Sequence, residues 1–555
     1  MMKKIKIKNI MLFLSLLMLA GCDFMDCDES DNFSKQEVLD SYSRVKQLAT
    51  NVYGFLKADF CSIDGAMLDA ATDDAVHVYK SSNIQRFVDG TWSANNLVDN
   101  VWGHYYEGIR AANFYLAETV GLTFDEWKYA DDYEDIIKEF TNYQYEVRFL
   151  RAYFYFELIK RYRNVPLVLN VLTQDEANNV SPESYEKIAK FIVDECSELA
   201  LILPVNYDGF KSKEKGRITR TAAMALKSRV TLYMASPLFS EHDEEEKWRQ
   251  AAEAAYDIIR QNTDLGVKLV NYPQLFNAEN NQREEVILYR PTGENGDFEK
   301  ANFPIGVVGG KTSTCPTQNL MEAYDMKNGT PFDWEKNKSN PYKNRDPRMD
   351  NTIVYNQMTW LKKTMQIWEG GANGLPLQNA TTTGYYLRKY VNFNVSFGAG
   401  STVTKMQHNW VLFRYGEILL NYAEAMINAF HDPNYKDAVF DMSAREAVNK
   451  IRTRTNVALP ALPSTITEQE FVKRLKNERR VELAFEGHRF WDVRRWKELD
   501  QTANIYGVKI TKENGKFNYE KILLETRVVT DNMYFYPIPN AERFKNPKLG
   551  QNPGW

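Results

Sequence analysis

Apolar residues recur at helical spacing through much of the chain. The clearest case is residues 135–161, where Val147, Leu150, Phe154 and Leu158 stand at offsets of 0, 3, 7 and 11 and share one helix face. Similar patterns predict further helices over residues 35–56, 95–118, 181–203, 219–235, 244–261, 411–425, 443–454 and 468–486. Short loops join most of these segments, so the pattern predicts a mostly α-helical body.

Two stretches lack sustained helical spacing. Residues 60–94 and 265–407 are irregular, and the second is rich in glycine, proline, asparagine and threonine, with strands predicted only near 286–289 and 385–391. Long irregular segments inside a compact body often carry binding residues. We therefore predict a helical region over residues 35–264 with a ligand-facing loop at 60–94, a loop-rich region over 265–407, and a helical region over 408–555, all packed as one body.

The N-terminus has the pattern of an export signal. Lysines at positions 3, 4, 6 and 8 precede an apolar run over residues 10–20, which is too short to cross a bilayer as a helix. The run ends in Leu-Ala-Gly-Cys22, which is typical of a bacterial lipobox. The sequence predicts a lipoprotein signal peptide over residues 1–21, acylation of Cys22, and an acidic tether over residues 22–34.

Carboxylates and arginines are concentrated near the C-terminus. Glu478, Glu482 and Glu486 recur every four residues, and like charges at this spacing repel unless they are solvated or matched by cations. The nearest cations and rings are Arg489, Arg494 and Arg495, interleaved with Phe490, Trp491 and Trp496. We predict that Gly487 turns the chain, that these arginines fold back onto the carboxylates, and that the rings close a core beneath them. A metal site and acid–base chemistry on a sugar are the alternatives.

The run Glu-Arg-Arg-Val-Glu-Leu-Ala-Phe-Glu-Gly-His-Arg-Phe-Trp-Asp-Val-Arg-Arg-Trp-Lys over residues 478–497 closely resembles the C-terminal signature of the SusD/RagB family. These are nutrient-binding outer-membrane lipoproteins of Bacteroidetes. Residues 148–168, 217–223, 316–327, 411–425 and 546–555 also resemble family elements. The resemblance implies a mostly α SusD-like fold, in which helix pairs of tetratricopeptide type form a scaffold beside an irregular segment with a few short strands.

Bulk properties narrow the function. The net charge is −5 and the sequence pI is about 5.9, so the chain has no electrostatic footprint for nucleic acid.

Cys27, Cys61, Cys196 and Cys315 form no Cys-x-x-Cys motif and are expected to be small buried residues or free thiols, with one disulfide left open. Metalloprotease, nucleophile-elbow, phosphate-loop and dinucleotide motifs are absent, which leaves no positive case for an enzyme. No cofactor is expected, and a structural calcium ion in the loops stays open.

The family resemblance implies that the protein binds an oligosaccharide or polysaccharide and passes it to a SusC-like TonB-dependent transporter in the outer membrane, without bond cleavage. Capture of peptides or glycopeptides for the same kind of transporter is the first alternative. A glycoside hydrolase is the second, because two carboxylates far apart in sequence leave no local motif. A purely structural or adhesive surface protein is a further alternative.

Sugar recognition needs flat aromatic faces and polar groups that satisfy hydroxyls. The family resemblance places ligand contacts in the loop over residues 60–94 and in the later irregular segment. The ligand-binding residues that we predict there are Asp73, Asp74, Arg86, Trp92, Phe303, Trp360 and Trp368. For each tryptophan the alternative is a packed core position, and for the two aspartates it is a loop-capping or surface role.

Overall fold

The structure is a computed structural model that describes residues 33–240, 245–277, 280, 284–398 and 403–555. The predicted signal peptide, the lipid-bearing Cys22 and the acidic start of the tether therefore lie outside the described residues, as does Cys27. Within the described part of the chain, no helix is both long enough and apolar enough to cross a bilayer.

The N-terminal half is a succession of helices, as predicted. They are α1 (Lys35–Leu39), α2 (Tyr42–Gly54), α3 (Arg86–Asp89), α4 (Trp102–Glu118), α5 (Tyr133–Tyr162), α6 (Gln174–Ala177), α7 (Tyr185–Ile202), α8 (Arg220–Ala235) and α9 (Glu245–Arg260). The long helices pack in chain order: α4 lies against α5, α5 against α7, α7 against α8 and α8 against α9. This is the helix-pair arrangement expected of a tetratricopeptide-type scaffold.

The middle of the chain is built from short elements. The helices there are α10 (Asp297–Asn302), α11 (Gln318–Ala323), α12 (Trp334–Asn337) and α13 (Pro347–Thr352). Three short strands lie in the early irregular loop: β1 (Ser62–Ile63), β2 (Ala66–Met67) and β3 (Ala75–His77). The strands of the middle region are β4 (Val286–Pro291), β5 (Thr314–Pro316), β6 (Ile353–Val354), β7 (Thr359–Trp360), β8 (Lys363–Thr364) and β9 (Tyr386–Leu387). β3 pairs with β5, which joins the early irregular loop to the later one.

Helices return near the C-terminus, together with a long hairpin. The elements are β10 (Asn409–Arg414), α14 (Tyr415–Phe430), α15 (Ala444–Arg452), α16 (Glu468–Glu482), α17 (Arg489–Arg495), β11 (Asn504–Glu513), β12 (Lys516–Thr526) and α18 (Asn540–Lys545). α14 packs against α9 and α15, so the C-terminal helices continue the scaffold. β11 and β12 form an antiparallel hairpin.

Several predicted boundaries are wrong for local reasons. The helix predicted over residues 35–56 is interrupted near Ser41, the N-cap residue of α2, whose backbone is extended. The helix predicted at 411–425 starts only at Tyr415, because Asn409–Arg414 pairs with β4 as a largely buried strand. α7 is capped by Ser184, whose side chain accepts the Lys187 N–H, rather than starting at residue 181.

The helix predicted to reach residue 486 ends at Glu482, so Glu486 lies four residues beyond α16. The carboxylates of Glu478, Glu482 and Glu486 are buried and matched by cations, but by different cations from those predicted. Glu482 accepts hydrogen bonds from Arg348 Nη1 at 2.8 Å, Arg414 Nη1 at 2.9 Å and Arg454 Nη2 at 2.7 Å. Glu478 pairs with Arg348 and Arg452. Glu486 pairs with Arg414 and Lys389. Burial alone would raise the pKa of Glu482, but Arg454, Arg414 and Arg348 hold it well below its ordinary value.

The arginines after Gly487 point to other partners. Gly487 has φ +75°, the left-handed conformation predicted for it. Arg489 pairs with Asp73, Arg495 pairs with Glu424 and Asp492, and Arg494 donates to the Phe490 and Met533 carbonyl oxygens. The nearby rings Phe490, Trp491 and Trp496 are buried, which confirms the predicted core. The C-terminal signature therefore joins distant parts of the fold rather than closing on itself.

Candidate functional site

Two of the predicted ligand-binding residues, Asp73 and Asp74, are buried in an ion-pair cluster. Asp73 accepts hydrogen bonds from Arg489 Nε at 2.9 Å and Nη2 at 3.1 Å, and Arg480 Nε donates to Asp74 at 2.6 Å. Burial alone would raise the pKa of Asp73, but Arg480 and Arg489 lower it. These carboxylates fasten the early loop to the C-terminal signature, so they are not presented to solvent as the prediction required.

Three predicted rings are also buried. Trp92 is 3% exposed and its ring packs edge-on against Phe87, Tyr536 and Trp555. Phe303 and Trp360 are each 2% exposed and pack against each other, with ring centroids 5.7 Å apart. The expectation that these rings are exposed is wrong, because the irregular loops fold inward and their rings join the hydrophobic core that the helices also form.

Arg86 begins α3, and its side chain is half-buried. It makes no ion pair with Asp73 or Asp74, whose partners in the described chain are Arg480 and Arg489. The structure therefore does not assemble the residues predicted in the 60–94 loop into one binding surface.

Trp368 differs from the other predicted rings because it is only half-buried. Its ring lies 5.1 Å from that of Phe517, and Lys512 Nζ lies 4.6 Å above it. Tight turns shape the loop that carries it: the Gly371 N–H donates to the Trp368 carbonyl at 2.8 Å, and the next residue, Glu369, donates its N–H to the Ile510 carbonyl of β11 at 2.9 Å. Trp368 is thereby fixed against the β11–β12 hairpin.

A surface groove lies beside this ring pair. Its volume is about 1020 Å³, whereas the other surface cavities described measure about 400–680 Å³. Three segments form its walls: the turn after α12 (residues 338–343), the chain between β6 and β7 (residues 355–359), and the start of β12 (residues 516–519). We call this the tyrosine groove, after its rings, which are Tyr342, Tyr355, Phe517 and Tyr519.

The three tyrosine rings of the groove contact one another while each side chain stays partly exposed. Tyr342 and Tyr355 stack with centroids 4.3 Å apart and an interplanar angle of 23°, and Tyr519 meets Tyr342 edge-on at 5.5 Å. The Tyr355 hydroxyl donates to Asp350 at 2.9 Å, and the Tyr519 hydroxyl accepts from Asn356 Nδ2 at 3.3 Å. The groove thus offers ordered aromatic surface.

Polar side chains accompany the rings. The uncharged polar residues that line the groove are Ser339, Asn340, Asn356, Gln357, Thr359 and Asn518. Amide and hydroxyl groups of this kind both donate and accept hydrogen bonds, as sugar hydroxyls require. Among the described residues that line the groove there is no aspartate or glutamate. The groove therefore lacks the carboxylate pair that a typical glycosidase needs.

Phe517 and Tyr519 were not among the predicted site residues, because no hairpin was predicted in this part of the chain. A signal was present: Asn514-Gly515 separates two runs in which apolar and polar residues partly alternate, the strongest short-range mark of a two-residue β-turn. Both turn residues have positive φ, +50° and +79°, as such a turn requires. Phe517 and Tyr519 are spaced two apart on β12, so both face the same side of the hairpin.

A second cavity is small and lined by several charged residues. It measures about 70 Å³, far below the roughly 300–1,000 Å³ of most ligand pockets. Its lining includes Lys160, which pairs with Glu157 at 2.6 Å, and His488, whose pKa burial lowers well below its ordinary value. This cavity can hold water but not a sugar.

Metal-binding and disulfide chemistry find little support among the described residues. In the ranges given above, no group of three or more His, Cys, Asp or Glu side chains could hold a metal ion. Cys61, Cys196 and Cys315 are free thiols, and burial raises the pKa of each. Cys196 and Cys315 are buried and Cys61 is half-buried, and all three agree with the prediction of small buried residues or free thiols.

Comparisons with known proteins agree with this architecture. The model of the SusD family matches residues 257–555, and a model described as starch-binding and associating with the outer membrane matches residues 23–232. A SusD-like protein of Formosa agariphila is 22% identical over 538 residues, covering 88% of this chain and 90% of its own. A crystal structure of a SusD-like protein from Bacteroides fragilis has a TM-score of 0.76 at 25% identity, covering 94% of this chain and 99% of that one. A SusD-like carbohydrate-binding protein from the same species has a TM-score of 0.74 at 26% identity, covering 92% and 100%.

Proposed function

The chain belongs to the SusD family, and we propose that it binds a polysaccharide or oligosaccharide at the cell surface and delivers it, uncleaved, to a SusC-like TonB-dependent transporter. The observation that carries this proposal is the tyrosine groove, with its stacked, partly exposed rings. A relative of this fold is described as carbohydrate-binding, which supports the same ligand class.

The physical basis is stacking combined with hydrogen bonding. The C–H face of a sugar ring is apolar and lies flat against an aromatic face, while its hydroxyls need polar partners around the rim. Phe517 and Tyr519 supply ring surface on one wall, and Tyr355 supplies it on another. Asn340 and Gln357 lie between or beside them and provide amide groups for the hydroxyls. Trp368, packed on Phe517, extends the platform at its edge.

Binding without cleavage fits the charges of the groove. Hydrolysis of a glycosidic bond generally needs one carboxylic acid and one carboxylate about 5–10 Å apart across the bond. Asp350 is not part of the groove lining, and its carboxylate accepts a hydrogen bond from the Tyr355 hydroxyl. The buried carboxylates Asp73 and Asp74 are held by arginines and serve the scaffold, so we assign neither to catalysis.

The proposal extends to the place of the protein in the cell. We propose that Cys22 carries the lipid that holds the protein at the outer membrane, exposed at the cell surface, and that the tether over residues 22–34 leads to the first helix, which starts at Lys35. The family description of residues 23–232 as associating with the outer membrane supports this placement.

The test is affinity electrophoresis of the full-length chain, purified in detergent, through gels that contain one polysaccharide each. We expect retardation by at least one polysaccharide, and a loss of affinity of about tenfold or more in Phe517→Ala, Tyr519→Ala and Trp368→Ala, because each ring lost removes stacking surface. Phe544→Ala is the matched control, since Phe544 is 83% exposed and lies outside the groove.

Three results would speak against the proposal. Binding of peptides but of no glycan would favour peptide capture for the same kind of transporter. Release of reducing ends from a bound polysaccharide would favour a hydrolase. Retention that is equal in the groove variants and in Phe544→Ala would remove the tyrosine groove as the site.

A further inference from the structure

The charged residues that line the tyrosine groove are all of one sign. They are Lys338, Lys343 and Lys516. The whole chain carries a net charge of −5, so a groove with three cations and no carboxylate in its lining departs from the rest of the protein. All three lysines are exposed, so the groove presents their charges to solvent and to whatever lies in it.

The lysines are largely free of competing anions. No carboxylate of the described residues lies within 4.0 Å of Lys343 or Lys516. Lys338 pairs with Glu335 at 2.6 Å, but both side chains are more than half exposed, at 52% and 74%. Exposed pairs of this kind contribute little, so Lys338 can exchange its partner for a ligand anion.

A fourth cation stands beside the aromatic platform. Lys512 Nζ lies 4.6 Å from the Trp368 ring and 5.4 Å from the Phe517 ring, and Phe517 lines the groove. A sugar that stacks on these rings would therefore lie next to an ammonium group on the hairpin side. Lys343, the neighbour of Tyr342 in the chain, also lines the groove.

We infer that the ligand of the tyrosine groove is an anionic polysaccharide, whose carboxylate or sulfate groups are bound by Lys343 and Lys516 while its rings stack on Phe517 and Tyr519. This inference rests on the proposed glycan-binding function and gives it a substrate class. Neutral glycans offer the ammonium groups hydroxyl acceptors but no opposite charge. A charged glycan gains both the stacking and the electrostatic attraction, and it is steered into the groove.

The experiment compares ligands that differ only in charge. The full-length chain in detergent is titrated with polygalacturonate, with the same polymer after full methyl esterification, with dextran sulfate and with dextran. We expect binding of at least one charged polymer to be ten or more times tighter than that of its neutral counterpart. Polygalacturonate and dextran sulfate separate carboxylate from sulfate recognition, and preference for either supports the inference.

Salt and lysine variants give the second readout. Raising the salt from about 0.05 M to about 0.5 M shortens the screening length severalfold and should weaken charged-polymer binding by at least tenfold. Lys343→Gln/Lys516→Gln should lower that affinity about tenfold. Lys128→Gln/Lys190→Gln is the control, because it removes the same charge from exposed lysines of the helical region.

The outcomes separate this inference from the function on which it rests. Equal affinity for charged and neutral polymers, or a groove double variant that behaves like its control, would overturn the anionic ligand and leave glycan binding standing. Retention of none of the four polymers, nor of any other glycan, would overturn both.

Discussion

Arg414 holds Glu486 through two parallel hydrogen bonds, in which Nε donates to Oε2 at 2.6 Å and Nη2 donates to Oε1 at 2.8 Å. Both side chains are buried, and the same guanidinium also reaches Glu482 and Glu285. Removing one partner of a buried pair leaves the other charge without compensation, and here several carboxylates would lose the same cation.

We therefore expect Arg414→Met to lower the free energy of unfolding by about 3–5 kcal/mol or more. The measurement is the midpoint of urea unfolding followed by tryptophan fluorescence. Lys190→Met is the control, because Lys190 and Asp194 form an exposed pair with side chains 72% and 56% accessible, whose loss should change stability by less than about 1 kcal/mol. Similar midpoints for the two variants would contradict the assigned role of Arg414.

Glu424 predicts a sensitivity to acid. Burial alone would raise the pKa of its carboxyl, but Arg495 and the Trp496 indole N–H lower it to about 2. Because the folded value lies below the ordinary one near 4.5, this group stabilises the protein above pH 4.5 and loses that contribution as the pH falls towards 2. The full contribution is roughly 3 kcal/mol.

Glu424→Gln should therefore be less stable than the parent at pH 7 and should show a shallower loss of stability between pH 4.5 and pH 2. Thermal unfolding at a series of pH values measures both effects. Glu186→Gln, at an exposed position of α7, should follow the parent curve. If stability falls as steeply between pH 4.5 and pH 2 in the Glu424 variant as in the parent, this ion pair does not cause the loss of stability in acid.

Asp69 should make the stability of the protein depend on pH in the opposite direction. Its buried carboxylate accepts the Phe485 N–H at 3.1 Å, and burial together with the charge of Asp74 raises its pKa to about 7. Because the folded pKa is raised, this group does not affect the free energy of unfolding below its ordinary pKa near 3.8. It lowers that free energy increasingly as the pH rises to 7, and above pH 7 the full loss is of the order of 4 kcal/mol.

Asp69→Asn keeps an oxygen for the Phe485 N–H and removes the charge. We expect this variant to be more stable than the parent at pH 8 and to have no such advantage at pH 4. Melting temperatures at the two pH values test the difference, with Asp194→Asn as an exposed control. An equal shift at both pH values would mean that the substitution acts through packing rather than through ionisation.

A substitution in the loop that carries Trp368 should change glycan affinity, even at a residue that does not contact the ligand. A Cβ atom on Gly374 would collide with the Trp368 carbonyl oxygen, so Gly374→Ala must displace this loop. We expect a severalfold loss of glycan affinity with a small change in melting temperature, because the ring would leave Phe517. Gly370→Ala is the control for steric collision, because nothing lies within 4 Å of the added Cβ atom. The φ of Gly370 is +88°, so this control adds backbone strain without a collision. Unchanged affinity in the Gly374 variant would separate Trp368 from the ligand.

The helical scaffold could be predicted from sequence because long amphipathic helices leave a periodic record. α5 was predicted to within two residues at its start and one at its end, since Val147, Leu150, Phe154 and Leu158 mark its buried face. The site could not be predicted in the same way, because exposure of a ring depends on how irregular loops fold. Trp92 and Trp360 sit in such loops and pack inward, while Trp368 sits in another and stays half-exposed.

The ion pairs show the same limit. The sequence indicated that Glu478, Glu482 and Glu486 need cations, and that requirement is a matter of charge alone. It could not indicate that Arg348 and Arg414 supply them, because those residues lie 134 and 68 positions before Glu482. The nearest arginines in sequence were the natural expectation, and Asp73 and Glu424 bind two of them instead.

Asp73 and Arg489 lie 416 positions apart, and they are joined in the interior. A chain that emerges N-terminus first therefore carries Asp73 without its guanidinium partner until almost all of the polypeptide has appeared. The earliest loop cannot settle into its final place before the C-terminal signature arrives, because a buried carboxylate without a cation is unstable. Premature closure of the front half of the chain is thereby discouraged.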